Sequence, residues 1–425
     1  MSNNTQSLQE MDHEFIWHPY SQHGSNQDIL PVISAKGAYL TLENGREILD
    51  AISSWWVNIH GHAHPTITEA IATQAKRIDH VMFAGFTHAP AVELARILVT
   101  ATRARGMRLD RVFYSDNGST AVEVALKMAF QYHYNRGDKT RTRFIALRGS
   151  YHGDTLGAMA VGEPEGFHTQ FRRLLTEVDF VTPGNISELE ELIAKNSESH
   201  AAFIFEPMVQ GASGMQMYPA AYLEAAVYLC KKHRVLTIAD EVFTGFYRTG
   251  KCLASEHARL SPDLFCLSKG ITGGILPLAV TLASEEIFDA FLSKDLSSAF
   301  LHGHSYTANP IACAAAIASW KLLQTPKCLS RIEEITSVTH QSVQRLKTHP
   351  KVAATRSLGT IGAIELNVPD GYFSDLGSKL LRAALERNVL LRPLGRVVYA
   401  VPPYCTTPDE VRRIYNVMEE IIDEL

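Results

Sequence analysis

The chain has 425 residues, with 40 Lys+Arg against 45 Asp+Glu for a net charge of −5, and 46% of it is hydrophobic. That length supports two or three domains and a core that needs no covalent staples, while so even a charge balance excludes a dominant basic surface for nucleic acid and an acidic tail. With 9% aromatic residues and 27 glycines the composition excludes disorder and collagen, and reads as an ordinary globular enzyme.

In chain order, residues 1–10 are polar, with neither a basic start nor an apolar stretch, so no secretory signal is read there. Residues 38–42 read as a strand, and Glu43-Asn44-Gly45-Arg46 as the turn that follows it. From Arg111 to Lys269 one pattern recurs: a short apolar run, a polar or Gly-rich turn, then a helical stretch. Run 111–115 leads into Asp116-Asn117-Gly118-Ser119 and a helix over 120–134, and run 143–147 leads into Arg148-Gly149-Ser150-Tyr151-His152-Gly153-Asp154. Run 201–205 ends at Glu206-Pro207, run 235–239 at Asp240-Glu241, and run 264–268 at Lys269. Strands alternating with helices indicate a mainly parallel sheet covered on both faces. Ligands bind beyond the carboxyl ends of such strands, so these polar ends can converge on one cleft.

The apolar run 311–320 is Ala-rich and about half the roughly 20 residues that a membrane span needs. Beyond Ser330 the pattern changes to a helix (331–349), strands (362–367 and 397–401) and a closing helix (408–425). The expected architecture is therefore α/β, with a large domain over residues 61–329 and a small α+β domain built from residues 1–60 and 330–425. Cys230, Cys252, Cys266, Cys313, Cys328 and Cys405 form no CxxC pair, which points to reduced, buried thiols and a cytoplasmic protein.

Lys269 follows an apolar strand, and burial there would lower its pKa and make it a usable nucleophile. A surface lysine at a strand end is the plainer alternative. Asp240 also ends an apolar strand, where a helix cap or half of a metal-binding Asp-Glu pair are the competing readings. Together the two suit pyridoxal phosphate, which needs a lysine to attach to and an acid beside its pyridine nitrogen. Gly118 and Ser119 stand at a helix N-terminus that favours an anion, although Asn-Gly-Ser is also an ordinary turn. Tyr151-His152 could offer an aromatic face to the pyridine ring. His60, His62 and His64 alternate, as do His302 and His304, but no carboxylate or Cys cluster accompanies them, so no metal is expected.

Ile238-Ala239-Asp240-Glu241-Val242-Phe243-Thr244-Gly245-Phe246-Tyr247-Arg248-Thr249-Gly250, followed by Leu267-Ser268-Lys269-Gly270-Ile271-Thr272-Gly273-Gly274, resembles the class III pyridoxal-phosphate aminotransferase signature. The resemblance implies fold type I: a large domain with a mostly parallel seven-stranded sheet, a small domain from both termini, and a homodimer with shared active sites. Further segments span the chain, among them Trp17-His18-Pro19-Tyr20, Ser53-Ser54-Trp55-Trp56, Thr87-His88-Ala89-Pro90, Glu206-Pro207-Met208-Val209-Gln210-Gly211 and Leu391-Arg392-Pro393. They resemble the branch of the family that transfers an amino group from S-adenosyl-L-methionine to 8-amino-7-oxononanoate in biotin synthesis. A lysine donor, or a general ω-amino acid:pyruvate aminotransferase, is the alternative.

Carried over by resemblance, Lys269 would attach the cofactor and move the substrate proton, and Asp240 would meet the pyridine nitrogen. Gly118, Ser119, Tyr151 and Val242 would contact the cofactor. Tyr20, Trp55, Tyr151, Asp154, Lys269, Gly303 and Arg392 would form the substrate site, with Tyr20 close to the chemistry and Arg392 meeting a carboxylate. His304 and Ser305 would reach the cofactor phosphate of the neighbouring subunit. Trp56 reads as core packing and Glu206 as structural. Two positions depart from the pattern: Ser305 replaces a usual Thr, and Tyr247 replaces the usual Gly before the signature Arg.

Overall fold

The recurrent apolar runs build a sheet whose members are β1 (Arg111–Ser115), β2 (Arg143–Leu147), β3 (Val178–Val181), β4 (His200–Phe205), β5 (Leu236–Asp240), β6 (Leu264–Leu267) and β7 (Ala279–Ala283). In the computed structural model, which describes residues 6–24, 29–163, 168–196, 198–369 and 375–425, they form one seven-stranded sheet in the order β1-β7-β6-β5-β4-β2-β3. Neighbours run parallel except at β7, which is antiparallel to both β6 and β1. Every residue of β4 to β7 is buried, as expected of strands covered on both faces. Sequence reading misses β3 and β7. The return strand β7 enters straight from the loop after Lys269, with no crossover helix to announce it, because an antiparallel neighbour needs none.

The two faces of the sheet divide the side chains by the period of two. Ala202 and Ile204 of β4 pack with Ala121, Val122 and Ala125 of helix α1 (Gly118–Asn135). Phe203 and Phe205 pack on the other face with Leu94, Leu98, Leu223 and Ala226. The Ala-rich run near residue 311 lies in the helix Pro310–Leu323. Among the described residues, no helix is long and apolar enough to cross a membrane.

At the start of the chain, Tyr39–Leu42 and Glu47–Asp50 pair antiparallel across the Asn44-Gly45 turn, where Gly45 has φ 82. Near the end, Val352–Leu358, Ile361–Leu366 and Val397–Ala400 form a second antiparallel sheet, flanked by α2 (Pro326–Leu346) and α3 (Pro408–Asp423). Thr407 and Glu410 cap α3 reciprocally. Ala38, Leu49 and Ala51 share one buried cluster with Ile335, Val338, Ile364, Val398, Ile414 and Met418. Both ends of the chain thus contribute to a core separate from the one around the seven-stranded sheet.

Candidate active site

A cavity of about 450 Å³ opens beyond the carboxyl ends of the parallel strands. Its walls include Asn117, Gly118 and Ser119 after β1, Tyr151, His152 and Gly153 after β2, Glu206 after β4, Asp240 and Val242 at the end of β5, and Lys269 after β6. The alternation of strands and helices alone brings these five loops to one place.

Asp240 is the last residue of β5 and is buried. His152 Nδ1 lies 2.6 Å from its Oδ2, and the Val242 N–H donates to Oδ1 at 3.0 Å. The other ring nitrogen of His152, Nε2, is buried without a hydrogen-bond partner among the described residues. Glu241 faces away from the cavity, where its carboxylate accepts from the N–H groups of Ala254 and Ser255, both at 2.7 Å. The Asp-Glu pair is therefore split between two environments and cannot close on one metal ion. Glu206 accepts from the Tyr151 and Gly211 N–H groups, both at 3.0 Å, and burial pushes its carboxyl up to about 7.

Lys269 sits at φ 47, separated from the end of β6 by Ser268. Its Nζ lies 4.7 Å from the ring centre of Trp56 and 5.7 Å from that of Phe243. Burial lowers the amine to about 8, against the opposing pull of Asp240 and Glu206. A larger share of neutral, nucleophilic amine is thus present at neutral pH than an exposed lysine would have.

The N-terminus of α1 forms another part of the cavity wall. Asn117 caps it by accepting from the Thr120 N–H at 3.0 Å, and Gly118 and Ser119 follow. A Cβ on Gly118 would lie 2.7 Å from Val242 Cγ1, so only glycine lets this turn and the β5 loop approach each other. Ser119 Oγ accepts from the Asp154 N–H at 3.2 Å. Free N–H groups and the positive helix end make this a site for an anion.

Of the predicted substrate-site residues beyond Lys269, Tyr151 lines the cavity and links the others to it: its hydroxyl meets Asp154 Oδ2 at 3.0 Å and the Tyr20 hydroxyl at 3.1 Å, and Tyr20 also donates to Asp154. Burial first, then Tyr20 and Asp154, hold the Tyr151 hydroxyl well above the usual tyrosine range. The Tyr20 and Trp55 rings meet edge to face with centres 5.3 Å apart, and the Arg392 guanidinium lies 4.3 Å over Trp55. Tyr20, Trp55, Tyr151, Asp154 and Arg392, from four distant parts of the chain, are thus joined in one wall.

Trp55 stands in a backbone feature that residue patterning does not announce. Ser53, Ser54, Trp55 and Trp56 have φ of 52, 43, 69 and 73, and the N–H groups of Trp56 and Val57 donate to the carbonyls four residues back. This is one turn of left-handed helix, costing roughly 1–2 kcal/mol per non-glycine residue. Surrounding groups hold it: Ser53 Oγ donates to the Val401 carbonyl at 2.7 Å, Trp56 Nε1 to the Tyr399 hydroxyl at 3.1 Å, and the buried Arg248 to the Trp56 carbonyl at 3.3 Å. Trp56 is buried, as a core residue should be, but it also lines the cavity beside Lys269, so the core-packing reading covers half of what it does.

Gly303, His304 and Ser305 are not brought to this cavity within one chain. Their loop is held elsewhere, with the adjoining His302 Nδ1 2.9 Å from Lys127 Nζ. Tyr247 has φ 71, a conformation that a glycine would adopt without cost. The three alternating histidines do separate jobs: His60 bonds the Ser319 carbonyl, His62 bonds Asp50, and His64 accepts from the Thr66 N–H. Sequence reasoning assigned no role to Phe243 or to the partnership of His152 with Asp240. His152 did carry a signal, as a polar residue at a strand end, but its partner is 88 positions away.

Residues 20–422 match the family described as aminotransferase class-III. A relative from Synechococcus elongatus, an adenosylmethionine-8-amino-7-oxononanoate aminotransferase, is 46% identical over 97% of this chain and 99% of its own. The solved structure of an enzyme of the same name from Methanocaldococcus jannaschii superposes with a TM-score of 0.94 at 38% identity, covering 98% of each chain. An amine transaminase from an uncultivated Pseudomonas species, in its pyridoxal-phosphate-bound form, superposes with a TM-score of 0.90 at 32% identity over 96% of this chain and 98% of its own.

Proposed function

This chain belongs to the class-III aminotransferase family, and we propose that it transfers an amino group from S-adenosyl-L-methionine to 8-amino-7-oxononanoate, giving 7,8-diaminononanoate for biotin synthesis. It is a pyridoxal-phosphate-dependent enzyme acting on small molecules. The observation that carries the specific reading is the wall of Tyr20, Trp55 and Arg392, which joins the Lys269–Asp240 cavity through the hydrogen bond of Tyr20 to the cavity-lining Tyr151. Aromatic faces suit a sulfonium cation, and the planar fork of Arg392 suits a carboxylate at the end of a long chain.

The residues present fit the cofactor. Asp240 offers a buried carboxylate, held by His152 and the Val242 N–H, to a pyridine nitrogen. Gly118 and Ser119 would hold the phosphate at the start of α1, with Tyr151 and Val242 as walls for the ring. Pyridoxal phosphate, when bound, supplies a carbonyl carbon for the amine and a sink for the electrons left on the substrate carbon. Lys269 would hold the cofactor between turnovers, and its amine would take the proton from the substrate's amine-bearing carbon. Burial of that amine is what keeps it basic yet partly unprotonated. Tyr20, Tyr151 and Asp154 form a hydrogen-bonded group that orients the substrate, and Trp56 and Phe243 keep water from Lys269. Donor and acceptor use the same site in turn, in a ping-pong order.

The same reading includes a homodimer, in which Gly303, His304 and Ser305 complete the partner's substrate and phosphate sites. Their absence from the cavity of their own chain supports it. It also includes a small domain from residues 1–60 and 330–425 beside a large domain over 61–329, supported by the shared core of the two ends. A cytoplasmic location is supported by six free cysteines, four of them buried.

The test is formation of 7,8-diaminononanoate from 8-amino-7-oxononanoate with S-adenosyl-L-methionine, L-lysine or alanine as donor. The reading expects product chiefly with S-adenosyl-L-methionine. Preference for lysine overturns the donor alone, and the absence of product with every donor overturns the reaction.

A further inference from the structure

Asp50 ends the strand Glu47–Asp50, and its carboxylate is fully buried. Three donors converge on it. The Ile52 N–H reaches Oδ1 at 3.2 Å, and Ser54 Oγ at 2.8 Å and His62 Nε2 at 3.0 Å reach Oδ2. His62 is itself tied to the N-terminal strands, because its N–H and carbonyl exchange hydrogen bonds with Gly37 at 2.7 and 3.1 Å. Ser54 lies inside the left-handed turn, one residue before Trp55. The same strand end also reaches the other half of the substrate wall: Asp50 pairs in register with Leu390, two residues before Arg392. Asp50 therefore stands at the root of both partners in the Trp55–Arg392 stack, through its carboxylate on the Trp55 side and through its backbone on the Arg392 side.

We propose that Asp50, Ser54 and His62 form a clamp that positions Trp55 against Arg392, and thereby sets how tightly the site holds the carboxylate-bearing chain of the amino acceptor. The identity of that acceptor rests on the proposed function; the geometry of the clamp does not. The side-chain hydrogen bonds that join Asp50, Ser54 and His62 run to one another and to the Ile52 N–H, so these are positioning residues that act through Trp55. A left-handed turn of side-chain-bearing residues does not support itself. The Ser54 hydroxyl anchors it from within to an acceptor that cannot move, since the strand, Ile52 and His62 all hold Asp50. Loss of that hydroxyl removes one donor from a buried carboxylate and frees the turn that aims Trp55.

The test uses the holoenzyme and nonanoate, an unreactive chain with a terminal carboxylate, with binding measured by calorimetry. Ser54→Ala should weaken nonanoate binding about 5- to 10-fold, while cofactor affinity and the absorbance of the lysine-bound cofactor stay as in the unaltered protein. In a Trp55→Ala background the same change should add less than about twofold, because residues acting through one another are not additive. His62→Gln, which retains a donor, should fall between the two. If Ser54→Ala does not fold, Ser54→Gly, which accepts the positive φ, carries the same expectations. Unchanged nonanoate affinity, an equal loss in both backgrounds, a parallel loss of cofactor, or no nonanoate binding by the unaltered enzyme each overturns the clamp. Nonanoate binding with the expected pattern, but no turnover of 8-amino-7-oxononanoate, leaves the clamp standing and overturns the reaction instead.

Discussion

Gly118→Ala tests the close approach on which the cavity depends. The added methyl would stand 2.7 Å from Val242 Cγ1 and 3.2 Å from Cγ2. Rotation of Val242 about χ1 still leaves at least one methyl on the side of the new group, and β-branching restricts that torsion. Relief must come from the backbone, and the Val242 N–H is one of the groups holding Asp240. Overpacking of this kind costs about 1–3 kcal/mol, which corresponds to roughly 5- to 150-fold in affinity if the cost falls on the bound state. Titration of the cofactor-free protein with pyridoxal phosphate, followed by absorbance, should show that loss. Val242→Ala removes both offending methyls and leaves Val242 Cβ as the nearest atom, at 3.5 Å, an ordinary contact. The double variant should therefore bind the cofactor better than Gly118→Ala alone, with a coupling of opposite sign to the single effects. Gly118→Ala binding as the unaltered protein does, or no recovery in the double variant, would refute the argument.

The Lys269 amine, lowered by burial from 10.5 to about 8 in the folded chain, makes the cofactor-free protein pH-dependent. Between those values the unfolded chain binds more protons than the folded one, so this group's contribution to stability rises with pH from about 8 to 10.5, by of order 3 kcal/mol. The buried thiols titrate in the opposite sense at high pH, so the measurement is the difference in denaturant midpoint between the unaltered protein and Lys269→Met across pH 7 to 10; a flat difference would count against a buried amine. Mixing Lys269→Ala chains with chains carrying Gly303→Asp and Ser305→Ala should regenerate some activity, since one site of each mixed dimer would be whole. Mixed dimers that form and remain inactive would remove the cross-subunit assignment.

Much of this protein is legible before any coordinate is known. The five runs that become β1, β2, β4, β5 and β6 announce themselves by apolar stretches that stop at a polar residue, and such punctuation is local. The same holds for the strand-end positions of Asp240 and Lys269, whose combination, more than either residue alone, suggests the chemistry proposed for them. What the chain folds into beyond that range depends on pairings that no local pattern encodes. His152 meets Asp240 because β2 and β5 flank β4 in the sheet, an order that follows from the crossover connections rather than from either segment. Trp55 and Arg392 stack because Asp50 and Leu390 share a register. The left-handed turn at Ser53–Trp56 runs against the intrinsic preference of every residue in it. It exists because Val401, Tyr399 and Arg248, distant in sequence, add their hydrogen bonds to the local one from Ser54 to Asp50 and together offset its cost. Local preference decides where strands and helices begin and end, whereas a strained backbone and a site assembled from separate segments are stable only once tertiary packing has brought their partners within reach.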